Sequence, residues 1–111
     1  MLVLEICESG QIKVTILGHD LEAGQHPQYT VPPHVWFGSF PTRDIQYHSS
    51  DGSCLVKEAA ARDPQTHYSL VGCTCAPGFQ FDDFELSTPS ELIPIASKAE
   101  PFIRYLTLPE E

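Results

Sequence analysis

Apolar and polar positions are most regular near the start of the chain. Met1–Cys7 is an almost unbroken apolar run with Glu5 inside it, which predicts a central strand. Ile12, Val14 and Ile16 then alternate with Lys13 and Thr15, which predicts a half-buried strand. Glu8-Ser9-Gly10-Gln11 lies between the two as a turn, so together they predict a hairpin. Gly18–Pro27 is polar and reads as loop. Gln28–Val31 predicts a short strand, Pro32-Pro33 a rigid corner excluded from a central ladder, and Val35–Phe40 an aromatic strand.

The densest strand signal is Leu70–Leu86, reading L-V-G-C-T-C-A-P-G-F-Q-F-D-D-F-E-L. Phe79 and Phe81 share one strand face, whereas Phe84 and Leu86 follow in the opposite phase. Strand side chains alternate with a period of two, so this slip requires a bulge or tight bend at Asp82-Asp83. Pro41–Thr66 is patterned more weakly. It holds short strand signals at Ile45–Tyr47 and Cys54–Lys57 around an Asp51-Gly52 turn. Glu58–Arg62 favours helix but is too short to hold one without packing, so the region reads as a surface excursion.

The end of the chain changes character. Thr88-Pro89-Ser90-Glu91 is a capping box with proline at the first helical position, and Pro94 ends the helical turn it starts. Ser97-Lys98-Ala99-Glu100 repeats the S-x-x-E signal. Phe102, Ile103 and Leu106 then share one helical face. The order is therefore strands first, short helices last.

With 111 residues the chain supports one hydrophobic core, and its ten prolines and seven glycines suit short strands and frequent turns. Six basic residues face fifteen acidic ones, for a net charge of −9. That balance argues against nucleic acid and against anionic membrane surfaces, both of which call for basic patches. No run approaches the ~20 apolar residues of a membrane span, and Met1–Cys7 lacks the basic flank of a signal peptide. A cytoplasmic, reducing setting is expected, with the four cysteines as free thiols.

Few residues suggest chemistry. Cys73 and Cys75, two apart on a strand, point the same way and form a poor disulfide. A zinc site would need further ligands from elsewhere, so buried structural thiols are the plainer reading. The five histidines, His19, His26, His34, His48 and His67, form no pair at ligand spacing. Asp82, Asp83 and Glu85 are either an acid/base or cation site, or solvated turn residues, and the second reading is preferred. Trp36 is either core or the stacking wall of a pocket. P-loop, G-x-G-x-x-G and G-x-S-x-G motifs are absent.

Two longer motifs are more specific. Gly24–Trp36 reads G-x-x-P-Q-x-x-V-P-x-x-x-W, and Leu70–Leu86 reads as given above. With the opening L-x-L-E-I and S-G-Q-I-K-V-T-I-L-G-H-D-L-E-A-G, the sequence resembles the RmlC-like cupins of the cupin-5 family over about residues 2–86. Phe37–Thr42 (F-G-S-F-P-T) and the return at Tyr68–Cys73 look like its plant-type members.

The resemblance implies an all-β fold: the cupin double-stranded β-helix, a jelly-roll barrel over residues 1–86 with the excursion at 41–66, followed by a short helical tail over 87–111. It also implies a homodimer. The family's upstream stretch, of the form H-R-x-x-x-x-E-x-W-H, is not in this sequence. The chain thus looks like an N-terminally shortened member without the first-motif metal ligands, and its barrel is expected to be incomplete. The position where a general cupin's second motif carries a metal-binding histidine is Trp36, with His34 out of register. No metal and no cofactor are therefore expected.

The resulting expectation is a cupin that binds a small sugar- or nucleotide-sugar-like ligand without metal. Gln28, Trp36, Cys73 and Cys75 would line the pocket, Trp36 as stacking wall, and His34 is the candidate catalytic base. The alternative is a non-catalytic structural or interaction protein that keeps the fold, and a metal-dependent cupin enzyme ranks last. Shortening a barrel also exposes a strand edge. Dimerisation through an edge at Met1–Cys7, or marginal stability, is expected to follow.

Overall fold

The structure, a computed structural model, describes residues 1–45 and 58–109. Three strands, β1 (Leu2–Ile6), β2 (Ile12–Ile16) and β3 (Trp36–Phe40), form an antiparallel sheet in the order β2-β1-β3. The fold of the described residues is mostly β, with a few short helices. The predicted hairpin is present: Cys7 N–H donates to Gln11 O and Gly10 N–H to Cys7 O, each at 2.9 Å. Gly10 has φ +83°, and a Cβ there would lie 2.6 Å from the carbonyl oxygen of Ile95, so the turn admits only glycine.

The pairing aligns Leu2 with Ile16 and Phe40, Leu4 with Val14 and Gly38, and Ile6 with Ile12 and Trp36. One sheet face is therefore apolar across all three strands. The C-terminal segment closes it. α1 (Pro89–Leu92) and α2 (Glu100–Leu106) place Leu92, Phe102 and Ile103 against it, with Ala96 and Ala99 packed between. Phe102, Leu2 and Ala99 are 0% exposed and mark the centre of the core. The face shared by Phe102, Ile103 and Leu106 is thus the one that meets the sheet.

The capping box forms as expected. The Thr88 backbone N–H donates to Glu91 Oε2 at 3.3 Å, and the same oxygen accepts from Ser87 Oγ at 2.8 Å. Glu91→Ala removes both bonds at a helix only four residues long. It is expected to destabilise the fold by about 1 kcal/mol. An unchanged urea midpoint would show that Leu92 burial alone holds this turn.

Several expectations are corrected. Leu70–Leu86 is not strand. It runs as irregular chain with a 3-10 turn at Phe81–Asp83, and Leu70 is 92% and Phe81 81% exposed. The bend required by the phase slip is present, as that turn rather than as a bulge. A strand exists only where a neighbour satisfies its backbone, and none pairs with this segment among the described residues. Gln28–Val31 likewise joins no ladder. Ser97-Lys98-Ala99-Glu100 opens no α-helix at Ser97; Ser97–Ala99 is a 3-10 turn, and the α-helix starts at Glu100. Met1–Cys7 does not present an open edge, since β1 is paired on both sides. The expected strand signals after Ile45, with the Asp51-Gly52 turn, lie outside the described residues. Ile45 itself bridges to Glu58, and Glu58–Arg62 forms no helix.

Candidate functional site

A hollow of about 140 Å³ lies between the apolar sheet face, α2 and the chain at Glu85–Ser87. Leu4, Ile6 and Trp36 form its sheet wall, and Ile103 and Leu106 its helix wall. Gly38 makes room for the helix: a Cβ there would lie 3.0 Å from Leu106 Cδ1. Trp36 is half-buried and packs on the cluster of Ile6, Leu92 and Ile103, so it is both core and cavity wall. Polar groups are sparse. Thr107 Oγ1 donates to Ile103 O at 2.6 Å, and Ser87 Oγ is held by Glu91. Among the described residues Glu85 is the only charged residue of the lining.

The other predicted site residues are elsewhere. Gln28 is exposed in the loop before β3 and does not line the cavity. Cys73 and Cys75, expected as buried wall thiols, are exposed, and Cys7, Cys73 and Cys75 are all free. His34 is exposed, with φ +62° in the left-handed region that histidine tolerates better than most residues. It lies in a turn and faces none of the cavity lining. Of the five candidates, Trp36 alone is at the cavity. Among the described residues no three His, Cys, Asp or Glu side chains converge as a metal site would require.

Sequence reasoning missed a hydrogen-bonded chain on the opposite sheet face. Glu5, 2% exposed at the middle of β1, accepts from Tyr29 Oη at 2.5 Å. Lys13 Nζ donates to the same phenol oxygen at 2.9 Å, with the ammonium 4.9 Å from the ring centroid. That bond to Tyr29 raises the Lys13 pKa above its ordinary value. The signal was available: a glutamate inside an apolar strand must find a partner if it is buried. Which partner it finds depends on a loop 24 residues away.

A second, polar hollow of about 210 Å³ lies around Asp44, Glu58, Arg62, His67 and Tyr105. Burial, followed by the charges of Asp44 and Glu58, pushes the Tyr105 pKa up. Asp44 and Arg62 form an ion pair there and neutralise one another.

No helix among the described residues is long and apolar enough to cross a membrane. Residues 1–87 match the family model described as Cupin superfamily (DUF985). No protein with a curated description and no solved structure matches the chain. The family match includes the sheet wall of the cavity and Glu85–Ser87, but stops before α1 and α2.

Proposed function

The chain belongs to the Cupin superfamily (DUF985) family, and from that premise we propose that it is a small-molecule-binding domain that holds its ligand against Trp36 without a metal ion. The observation that carries this reading is the cavity itself, with Leu4, Ile6 and Trp36 on one side and Ile103 and Leu106 on the other. Concave, mostly apolar sites with few polar groups are where proteins hold small ligands. Among the described residues the lining contains no histidine or cysteine. Family membership supports a double-stranded β-helix as the complete fold, of which the three-stranded sheet is part.

The cavity narrows the ligand class expected from the sequence. At about 140 Å³ it is below the ~300 Å³ of ordinary ligand pockets, so a nucleotide-sugar does not fit. A sugar ring would bury hydroxyls with almost no partners, because Gln28, Cys73 and Cys75 stand outside. A small ligand with an apolar body fits better.

The chain has a single tryptophan, so its fluorescence reports on the cavity wall directly. Titration with small single-ring compounds is expected to shift Trp36 emission saturably. Leu106→Phe, which fills the cavity, is expected to abolish the shift while leaving the far-UV circular dichroism intact. If no such compound shifts the emission, the binding reading fails.

One observation favours a second reading, in which the domain is a non-catalytic interaction protein. Tyr68, Leu70, Phe79, Phe81 and Leu86 are all more than half exposed in one segment. Apolar exposure on this scale usually marks a contact surface, and a homodimer is the form this reading takes.

A further inference from the structure

The cavity beside Trp36 has one asymmetry that the binding proposal leaves unused. Its body is apolar, yet Glu85 lines it, and Asp82 and Asp83 lie just before Glu85 in the 3-10 turn Phe81–Asp83. Among the described residues the lining holds no lysine or arginine to neutralise Glu85. Among the described residues Glu85 forms no ion pair. Its two polar neighbours in the lining, Ser87 and Thr107, are already engaged by Glu91 and Ile103 O. Glu85, Asp82 and Asp83 are all exposed, so the negative charge stands at the solvent-facing rim of an apolar hollow, in a chain whose net charge of −9 already draws cations.

Size sets the other half of the argument. A protein cavity of about 150 Å³ lined by aliphatic and aromatic side chains takes up a benzene ring. The present hollow, about 140 Å³ and lined chiefly by Leu, Ile and Trp, is of that size, and it opens to solvent past Phe37, Leu86 and Leu108, each more than half exposed.

Resting on the binding reading above, we infer that the ligand is a single-ring arylalkyl amine, with its ring in the cavity beside Trp36 and its ammonium beside Glu85. An aromatic acid of the same shape would bring a second negative charge to Glu85, Asp82 and Asp83. A neutral arene would fill the cavity but gain nothing from the exposed Glu85. A sugar would meet too few donors. Among ligands of the right size, the amine alone matches both the apolar body and the charged side.

The test uses three compounds of one shape: 2-phenylethylamine, ethylbenzene and 3-phenylpropionate, titrated into the full chain with Trp36 fluorescence as readout. The amine is expected to bind about fivefold tighter than ethylbenzene at low salt, and 3-phenylpropionate the most weakly. Raising the salt should shrink the gap between amine and arene. Glu85→Gln should bring the amine to the level of ethylbenzene, which still binds. That second arm also shows that the variant still folds. Equal binding of amine and arene by the unaltered chain, or an amine preference that survives Glu85→Gln, overturns this inference while leaving the binding reading intact. Failure of all three compounds overturns both.

Discussion

Phe102→Ala is expected to lower the stability of the domain by about 3–5 kcal/mol. Phe102 is 0% exposed and sits on the sheet among Leu2, Leu4, Phe40 and Ile45. Its ring stacks on Phe40 with centroids 5.9 Å apart and 24° between planes, while Tyr105 meets Phe40 edge-on at 5.5 Å. Alanine would leave a hole between the sheet and α2, and the neighbouring Leu2, Leu4 and Phe40 are already packed and can relax into it only in part. Domains of this size have about 5–15 kcal/mol in total, so the variant should lie near the limit of folding. Urea unfolding followed by circular dichroism measures the loss, with Phe102→Leu as a milder control. A loss below about 1 kcal/mol would mean that α2 does not close the core.

Tyr29→Phe is expected to cost about 2–3 kcal/mol although it removes a single oxygen. The phenol is the hydrogen-bond donor to Glu5, which is 2% exposed and paired in the sheet opposite Lys13 and Phe37. Phenylalanine leaves the carboxylate buried without that donor, and a buried charge short of a partner is expensive. Lys13 would also lose the acceptor that raises its pKa. The discriminating variant is the double change Glu5→Met with Tyr29→Phe. It removes both polar ends and should recover most of the stability lost by Tyr29→Phe alone, as replacing whole buried polar sets by apolar side chains often does. If the double variant is as unstable as the single one, the loss came from ring packing rather than from the stranded carboxylate. A double-mutant cycle by urea unfolding gives the coupling directly.

These two residues also show how far the sequence could be read. The partnership of Phe102, Ile103 and Leu106 was visible in helical spacing, because the face of a helix is set by the residues of the helix itself. What that face would meet was not visible. Glu5 appeared only as an interruption in an apolar run. Its role came from Tyr29, in a stretch predicted as strand that instead reaches the sheet through a side chain. For the candidate site, Trp36 was named as a possible pocket wall and lines the cavity. Gln28, Cys73, Cys75 and His34 were placed by analogy to a barrel interior, and the described residues do not surround them with one. Leu106 at the cavity carries no motif that announces a ligand, and Glu85 stood out only as part of an acidic cluster preferred as solvated turn residues.

The sequence by itself determined the local pieces: the β1-turn-β2 hairpin, the aromatic strand at β3, the capping box at Thr88–Glu91 and the apolar side of α2. Each rests on residues within a few positions of one another, whose backbone hydrogen bonds and side-chain directions follow from a period of 2 or 3.6. Its two long motifs also carried the family. Only the tertiary structure decided that Leu70–Leu86, the strongest strand signal of all, runs exposed. It also decided that Glu5 is held by Tyr29, and that Trp36 and Glu85 share one cavity. A strand needs a neighbour to complete its hydrogen bonds, a buried charge needs a partner, and a cavity needs walls from distant segments. Local pattern states each requirement without saying which part of the chain will meet it.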